Sequence, residues 1–233
     1  MTIPNLPQID SQYQNLESEY SKKVGPYYDF ARPEMIAFVP ETAKKVLEVG
    51  CGSGGFGSLL KLRRPGVEVW GLEPNGEAAS RAAERLDFVI RDVLHPSIPR
   101  LDGQLFDCVV FNDVLEHLAK PESALDDVKK YLTDEGVVVA SIPNILHFYQ
   151  ISSILIEQDW KYQDSGILDN THLRFFTKKS IIRLFEQNGY RLLDIQGIYE
   201  SFGLKYRILN LLTLNHLRDW KYVQFAVVAK PLR

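Results

Sequence analysis

The segment Val46-Leu47-Glu48-Val49-Gly50-Cys51-Gly52-Ser53-Gly54-Gly55-Phe56-Gly57 constrains the fold more than any other part of the chain. Residues of strand character lead into closely spaced glycines, and Ser58-Leu59-Leu60-Lys61-Leu62 resumes with helical spacing, so the glycines stand at a strand-to-helix crossing. Glycine there permits positive φ and lets a ligand approach bare backbone. Gly50, Gly52 and Gly55 also satisfy the G-x-G-x-x-G spacing of dinucleotide binders. Glu48 argues for a different ligand, because a carboxylate just before the first glycine repels a pyrophosphate and attracts a positively charged group.

Later strand ends repeat the theme. Val67-Glu68-Val69-Trp70-Gly71-Leu72 reads as a second strand ending at Glu73, roughly 20 residues beyond the glycines, where an acidic side chain can accept ribose hydroxyls. Phe88-Val89-Ile90-Arg91 is a short third strand ending at Asp92, and Phe106-Asp107-Cys108-Val109-Val110-Phe111 runs into Asn112-Asp113-Val114-Leu115-Glu116-His117. An acidic residue followed by G-x-G-x-G, with Glu48, Gly50, Gly52 and Gly54 matching in order, resembles the first motif of class I S-adenosylmethionine-dependent methyltransferases. The resemblance covers residues 41–143. It implies an α/β, Rossmann-like seven-stranded sheet in the order 3-2-1-4-5-7-6, the last strand antiparallel, with helices on both faces. It also implies S-adenosylmethionine as cofactor: Glu48, Gly50, Gly52 and Gly54 at the glycine loop, Glu73 on the ribose, Asp92 on the adenine amino group, the Val93 N–H on the ring, and Asn112 bordering the transferable methyl.

A chain of 233 residues with a net charge of −3 and 45% hydrophobic content suits one substantial core, so a single domain over residues 1–233 is expected. The near-neutral balance without a basic block argues against nucleic acid as the main partner. No apolar run suggests a membrane span, and Met1-Thr2-Ile3-Pro4-Asn5 lacks the basic and apolar regions of a signal peptide, which points to the cytoplasm. Two cysteines, Cys51 and Cys108, read as small buried thiols rather than as a disulfide framework.

Residues 1–40 carry no strand pattern but hold Tyr13, Tyr20, Tyr27 and Tyr28, and Arg32-Pro33-Glu34 looks like a helix start, so this segment is expected to cap the cofactor. Gly136-Val137-Val138-Val139-Ala140-Ser141-Ile142 is a fifth strand, Thr177 caps a helix reaching Asn188-Gly189, and Tyr190–Ile195 and Tyr222–Ala229 form the final hairpin. The excursion 143–176 is too long for an ordinary connection and is expected to be an acceptor lid, helical over Ile145–Ile156. A second insertion, 201–220, has an apolar side at Leu204, Ile208, Leu211, Leu212 and Leu214 and reads either as a flap or as a homodimer contact.

The lid mixes aromatic platforms, Trp160 and Tyr162, with polar groups including Asp169 and Arg174, which together with Asp113 are the candidate acceptor-binding residues. That mixture suits a saccharide or other small-molecule acceptor. The run from Asp164 to Thr177 is similar to a segment of bacterial methyltransferases that accompany glycosyltransferases in surface-polysaccharide synthesis, which implies a sugar hydroxyl; a quinone, phenolic or other natural-product hydroxyl is the alternative. A noncatalytic cofactor-binding subunit is the reading from another class. An alcohol must lose its proton, and His117 and His172 are the candidate bases because unperturbed histidine titrates near ~6.5. The other reading packs His117 on a helix whose Glu116 faces water and uses His172 to tie the lid to the sheet, with Asp169 and Arg174 as a pair that holds it closed. Asp113 reads as a base, a lid contact or, with Asp169, a metal ligand, but no adjacent His and carboxylate spacing points to a divalent ion, so no metal is expected.

Overall fold

The computed structural model describes residues 30–232. The expected tyrosine-rich cap therefore lies outside the described residues, apart from its last turn, where Met35–Phe38 makes one tight helical turn instead of a longer helix. The strands are β1 (Lys45–Val49), β2 (Glu68–Leu72), β3 (Phe88–Ile90), β4 (Phe106–Asn112), β5 (Leu132–Pro143), β6 (Tyr190–Glu200) and β7 (Tyr222–Pro231). The helices are α1 (Gly55–Arg63), α2 (Gly76–Ala83), α3 (Pro121–Val128), α4 (Phe148–Ser152), α5 (Lys178–Gln187) and α6 (Leu204–Leu212).

One sheet in the order β3-β2-β1-β4-β5-β7-β6 carries the molecule, as the resemblance implied. β1 to β5 pair in parallel, and β7 runs antiparallel to both β5 and β6. The near-continuous apolar runs of the central strands follow from burial on both faces. Alternate residues serve two cores: Leu47, Val109, Phe111 and Phe225 pack with Leu125 and Phe185, whereas Val46, Val69 and Val110 pack with Met35, Phe56 and Leu60. Each such side chain contributes roughly 1.5–3 kcal/mol by leaving water. Period-two alternation puts Glu48 and Asn112 on the α1 face with Val46 and Val110, a polar pair inside an otherwise apolar layer.

Local chemistry sets the helix ends. The Asn75 side chain accepts hydrogen bonds from the Glu77 and Ala78 N–H groups at the start of α2. Thr177 caps α5 as expected, through a reciprocal box in which Ser180 takes the place usually held by Glu or Gln. The helix expected over Ile145–Ile156 is shorter: α4 ends at Ser152 and a wider helical turn continues through Glu157.

Candidate functional site

The strand-to-helix loop is built on three left-handed glycines, Gly50 at φ 69°, Gly52 at φ 53° and Gly54 at φ 79°. The Gly50 and Cys51 N–H groups both bond the Leu72 carbonyl, which ties the loop to the end of β2. A side chain at Gly50 would put its Cβ 2.7 Å from Val114 Cγ2, so the loop packs this closely against the segment after β4 only because residue 50 is glycine.

Glu48 is buried beneath this loop, 3% exposed, and burial pushes its pKa to about 8. Asn112 and the Gly57 N–H pull the value back, and the charge of Glu73 adds to the rise. Even so, Glu48 Oε2 and both amide atoms of Asn112 have no well-formed hydrogen bond within the chain. A buried polar set left open in this way fits a ligand bearing an ammonium group. Glu73 is also buried but is partly engaged, with Oε2 accepting the Gly52 N–H at 2.9 Å and Oε1 the Asn75 N–H at 2.8 Å. Burial raises its pKa and those two bonds oppose the rise. Two of about four lone-pair positions on the carboxylate are used, which leaves acceptor capacity for ribose hydroxyls. Asp92 is more open; its Oδ1 accepts the Val93 N–H at 2.8 Å and its Oδ2 lies 3.2 Å from His95 Nε2. The Val93 N–H expected to meet the adenine ring is thus held by Asp92 in this structure.

Asp113, suggested by the sequence as an acceptor contact, is partly exposed but already engaged within the chain. Its Oδ2 accepts from Arg32 Nη1, and its Oδ1 accepts from Gln224 Nε2 at 2.8 Å and from Ser141 Oγ at 3.3 Å. Arg32 is 8% exposed, also donates to Glu34 and Gln224, and lies 5.7 Å from the centre of the Tyr199 ring. Arg32, Asp113 and Tyr199 all have positive φ, at 43°, 54° and 55°. Three strained non-glycine residues meeting in one charge network mark a place where surrounding contacts hold the backbone against its preference. Sequence reading missed Arg32 and Gln224, for which no local motif gives a signal.

The two candidate bases are brought together, but inside the protein. His117 and His172 are 4% and 8% exposed, with ring centroids 4.6 Å apart. Glu116, which the alternative reading of His117 turned toward water, is 1% exposed instead, and burial pushes its pKa to about 8. The reason is the lid, whose Leu173 and Arg174 N–H groups both bond the Glu116 carbonyl and so lay the insertion over the turn after β4. Asp169 is spent on the lid's own loop, accepting from the Thr171 N–H and hydroxyl at 2.8 and 2.6 Å. Arg174 donates to the Ala119 carbonyl rather than pairing with Asp169, so it fastens the lid by another contact than the expected one. Trp160 and Tyr162, 40% and 53% exposed, flank Phe175 at ring-centroid distances of 5.0 and 6.5 Å. They form an open aromatic platform at the lid surface. The second insertion packs onto the first, with Phe148 against Tyr206 and the Asn144 amide bonding the Asp219 and Tyr222 carbonyls.

Comparison with known proteins agrees with this geometry. The family model described as a methyltransferase domain matches residues 20–195. The ubiquinone biosynthesis O-methyltransferase of Photobacterium profundum is 26% identical over 210 residues, covering 84% of this chain and 85% of that protein. The enzyme of the same description from Psychrobacter arcticus is 30% identical over 186 residues, 75% of this chain and 70% of its own. A trans-aconitate 2-methyltransferase of Rhodopseudomonas palustris aligns over a shorter stretch, 29% identical across 56% of this chain and 52% of its own. Among solved structures, a SAM-dependent methyltransferase from Archaeoglobus fulgidus superposes with a TM-score of 0.63 at 18% identity, covering 94% of this chain and 99% of its own, which shows a shared fold. With the family model spanning most of its length, the chain belongs to the methyltransferase-domain family.

Proposed function

We propose that this protein is an S-adenosylmethionine-dependent O-methyltransferase whose acceptor is a quinol, phenolic or related small-molecule hydroxyl. The donor supplies an activated methyl on a sulfonium. Its ammonium group is taken by Glu48 with Asn112 beside it, its ribose by Glu73, its adenine amino group by Asp92, and its backbone contacts by Gly50, Gly52 and Gly54. The open, unpartnered Glu48–Asn112 set is the structural observation that carries the cofactor assignment.

Two observations favour the acceptor class. The relatives named above that align over most of their own length act, by name, in ubiquinone biosynthesis. The second is chemical: His117 and His172 are buried and turned to lid carbonyls, so an acceptor that needs little help to ionise suits the site. A phenolic hydroxyl, with a pKa near ~10, ionises far more readily than an alkyl alcohol. A sugar hydroxyl is the second reading, favoured by the exposed Trp160–Tyr162 platform, since flat apolar rings also stack on saccharide faces. The experiment is an acceptor screen with methyl-labelled S-adenosylmethionine across catechols, hydroquinones and nucleotide sugars, read by product mass. Labelled aryl ether supports the proposal; labelled sugar alone, or no S-adenosylhomocysteine formed with any acceptor, overturns it.

A further inference from the structure

We propose that Glu116, His117 and His172 form a binding site for one first-row divalent transition-metal ion, which clips the lid insertion to the turn after β4. One potential ligand atom from each residue lies within 4.8 Å of the other two, and this is the one such group among the described residues. Glu116 and His117 come from the turn Leu115–His117, and His172 comes from the lid, so the three converge across a joint between separate parts of the chain.

The carboxylate supplies the first argument. Glu116 is 1% exposed, and neither Oε1 nor Oε2 has a hydrogen-bond partner. A buried carboxylate with nothing to accept from is costly, and its persistence calls for a cation that completes it. The surroundings of the two imidazoles supply the second. His172 Nδ1 lies 3.0 Å from the Ile167 carbonyl, which can only accept, so Nδ1 carries the proton and Nε2 keeps its lone pair, 4.0 Å from Glu116 Oε1. His117 Nδ1 lies 3.2 Å from both the carbonyl and the hydroxyl oxygen of Thr171, and that hydroxyl donates onward to Asp169 Oδ1 at 2.6 Å. His117 thus stands at the head of an imidazole–hydroxyl–carboxylate chain. Outer hydrogen bonds of this kind fix the tautomer and raise the basicity of metal-bound histidines.

The donor set selects the ion. Two imidazole nitrogens and one carboxylate oxygen suit Zn2+ or a similar borderline ion, whereas Mg2+ prefers an octahedron of oxygens. Metal–ligand bonds of about 2.0–2.2 Å in a tetrahedron hold ligand atoms about 3.3–3.6 Å apart, so the observed cluster, whose ligand atoms lie within 4.8 Å of one another, closes with side-chain movements of up to about 1 Å.

The full-length chain, stripped with EDTA, is titrated with ZnCl2 and with MgCl2 by calorimetry, and the Co2+-loaded form is recorded in the visible. We expect one equivalent of Zn2+ bound with a rise in the thermal midpoint, a Co2+ ligand-field band, and weaker binding of Mg2+. Glu116→Gln keeps the shape of the side chain while removing its charge, so it should fold at least as well as the parent without metal, by circular dichroism, yet bind Zn2+ at least about tenfold more weakly. His172→Ala should lose affinity to a similar degree and abolish the midpoint rise. Zn2+ binding unchanged in folded Glu116→Gln and His172→Ala, substoichiometric Zn2+ in the parent, or a preference for Mg2+ would each overturn the proposal. Because the readout is binding rather than turnover, its failure leaves the O-methyltransfer reading intact, and the converse also holds.

Discussion

Glu48→Gln tests whether a buried acid is held ready for a cationic ligand at the expense of the ligand-free protein. The carboxyl has a pKa of about 8 when folded against an ordinary value of 4.5, so the folded state binds the proton more tightly than the unfolded chain. Below pH 4.5 both states are protonated and the group leaves stability unchanged. As pH rises from 4.5 toward 8 the unfolded chain ionises while the folded one does not, and stability falls by about 1.36 kcal/mol per pH unit. At pH 7 the accumulated cost is about 3 kcal/mol, and above pH 8 it stops growing. Glutamine carries no such linkage, and its amide can donate to the unpartnered Asn112 oxygen. Glu48→Gln should therefore match the parent near pH 4.5 and exceed it at pH 7 by about 6–12 °C in thermal midpoint, taking about 2–4 °C per kcal/mol for a domain of this size.

The assay is thermal denaturation of ligand-free parent and variant from pH 4.5 to 8.5, with the difference plotted against pH so that every other titrating group cancels. S-adenosylhomocysteine should reverse the order, because its ammonium stabilises the ionised carboxylate. Parent binding at pH 7 should then release a proton, visible as a dependence of the calorimetric heat on buffer ionisation enthalpy, and the variant should bind more weakly without that dependence. A stability difference that is flat with pH, or ligand binding by the parent with no proton released, would refute the reasoning.

Other outcomes follow from the same geometry. Gly50→Ala forces a Cβ against Val114 at a φ of 69°, so it should lower the urea-derived stability by about 1–3 kcal/mol and weaken S-adenosylhomocysteine binding with it. Asp113→Asn leaves the buried Arg32 with Glu34 as its remaining carboxylate partner and should cost about 1–3 kcal/mol, tempered by the partial exposure of Asp113; a double-mutant cycle with Arg32→Met should return a favourable coupling. Trp160→Ala should raise the acceptor KM while leaving the S-adenosylhomocysteine Kd within about twofold, and equal losses of both would contradict an acceptor platform separate from the donor site.

What the sequence made legible was local. The glycine loop announces itself because left-handed backbone at Gly50, Gly52 and Gly54 restricts residue choice, and the strands announce themselves because burial on both faces demands apolar runs. What escaped depends on contacts between distant parts of the chain. Arg32 and Asp113 are 81 residues apart, and Gln224 and Asp113 are 111 apart; they meet because β7 inserts antiparallel beside β5 and brings Gln224 opposite Pro143. Glu116 reads as solvent-facing on a regular helix, but the turn at Leu115–His117 is too short to have a solvent face once the lid lies over it. Asp169, chosen as a ligand-binding carboxylate, is consumed by Thr171 two residues away, a local competition that polar residues in loops commonly win.

Comparing the carboxylates at the ends of β1 and β4 shows how the fold divides their labour. Asp113 receives an arginine, a glutamine and a serine from elsewhere in the chain, so its charge is matched internally and costs a ligand several contacts to recruit. Glu48, a few residues beneath the glycine loop, receives no comparable cation, and the amide beside it is also left without a partner. A sequence under pressure for stability alone would have filled that layer with another valine, as its neighbours Val46 and Val110 are filled. Polar groups retained at a cost in an apolar layer belong to binding rather than folding. On that ground the donor's cation is proposed to sit at Glu48, while Asp113 ties Arg32, Gln224 and Ser141 together.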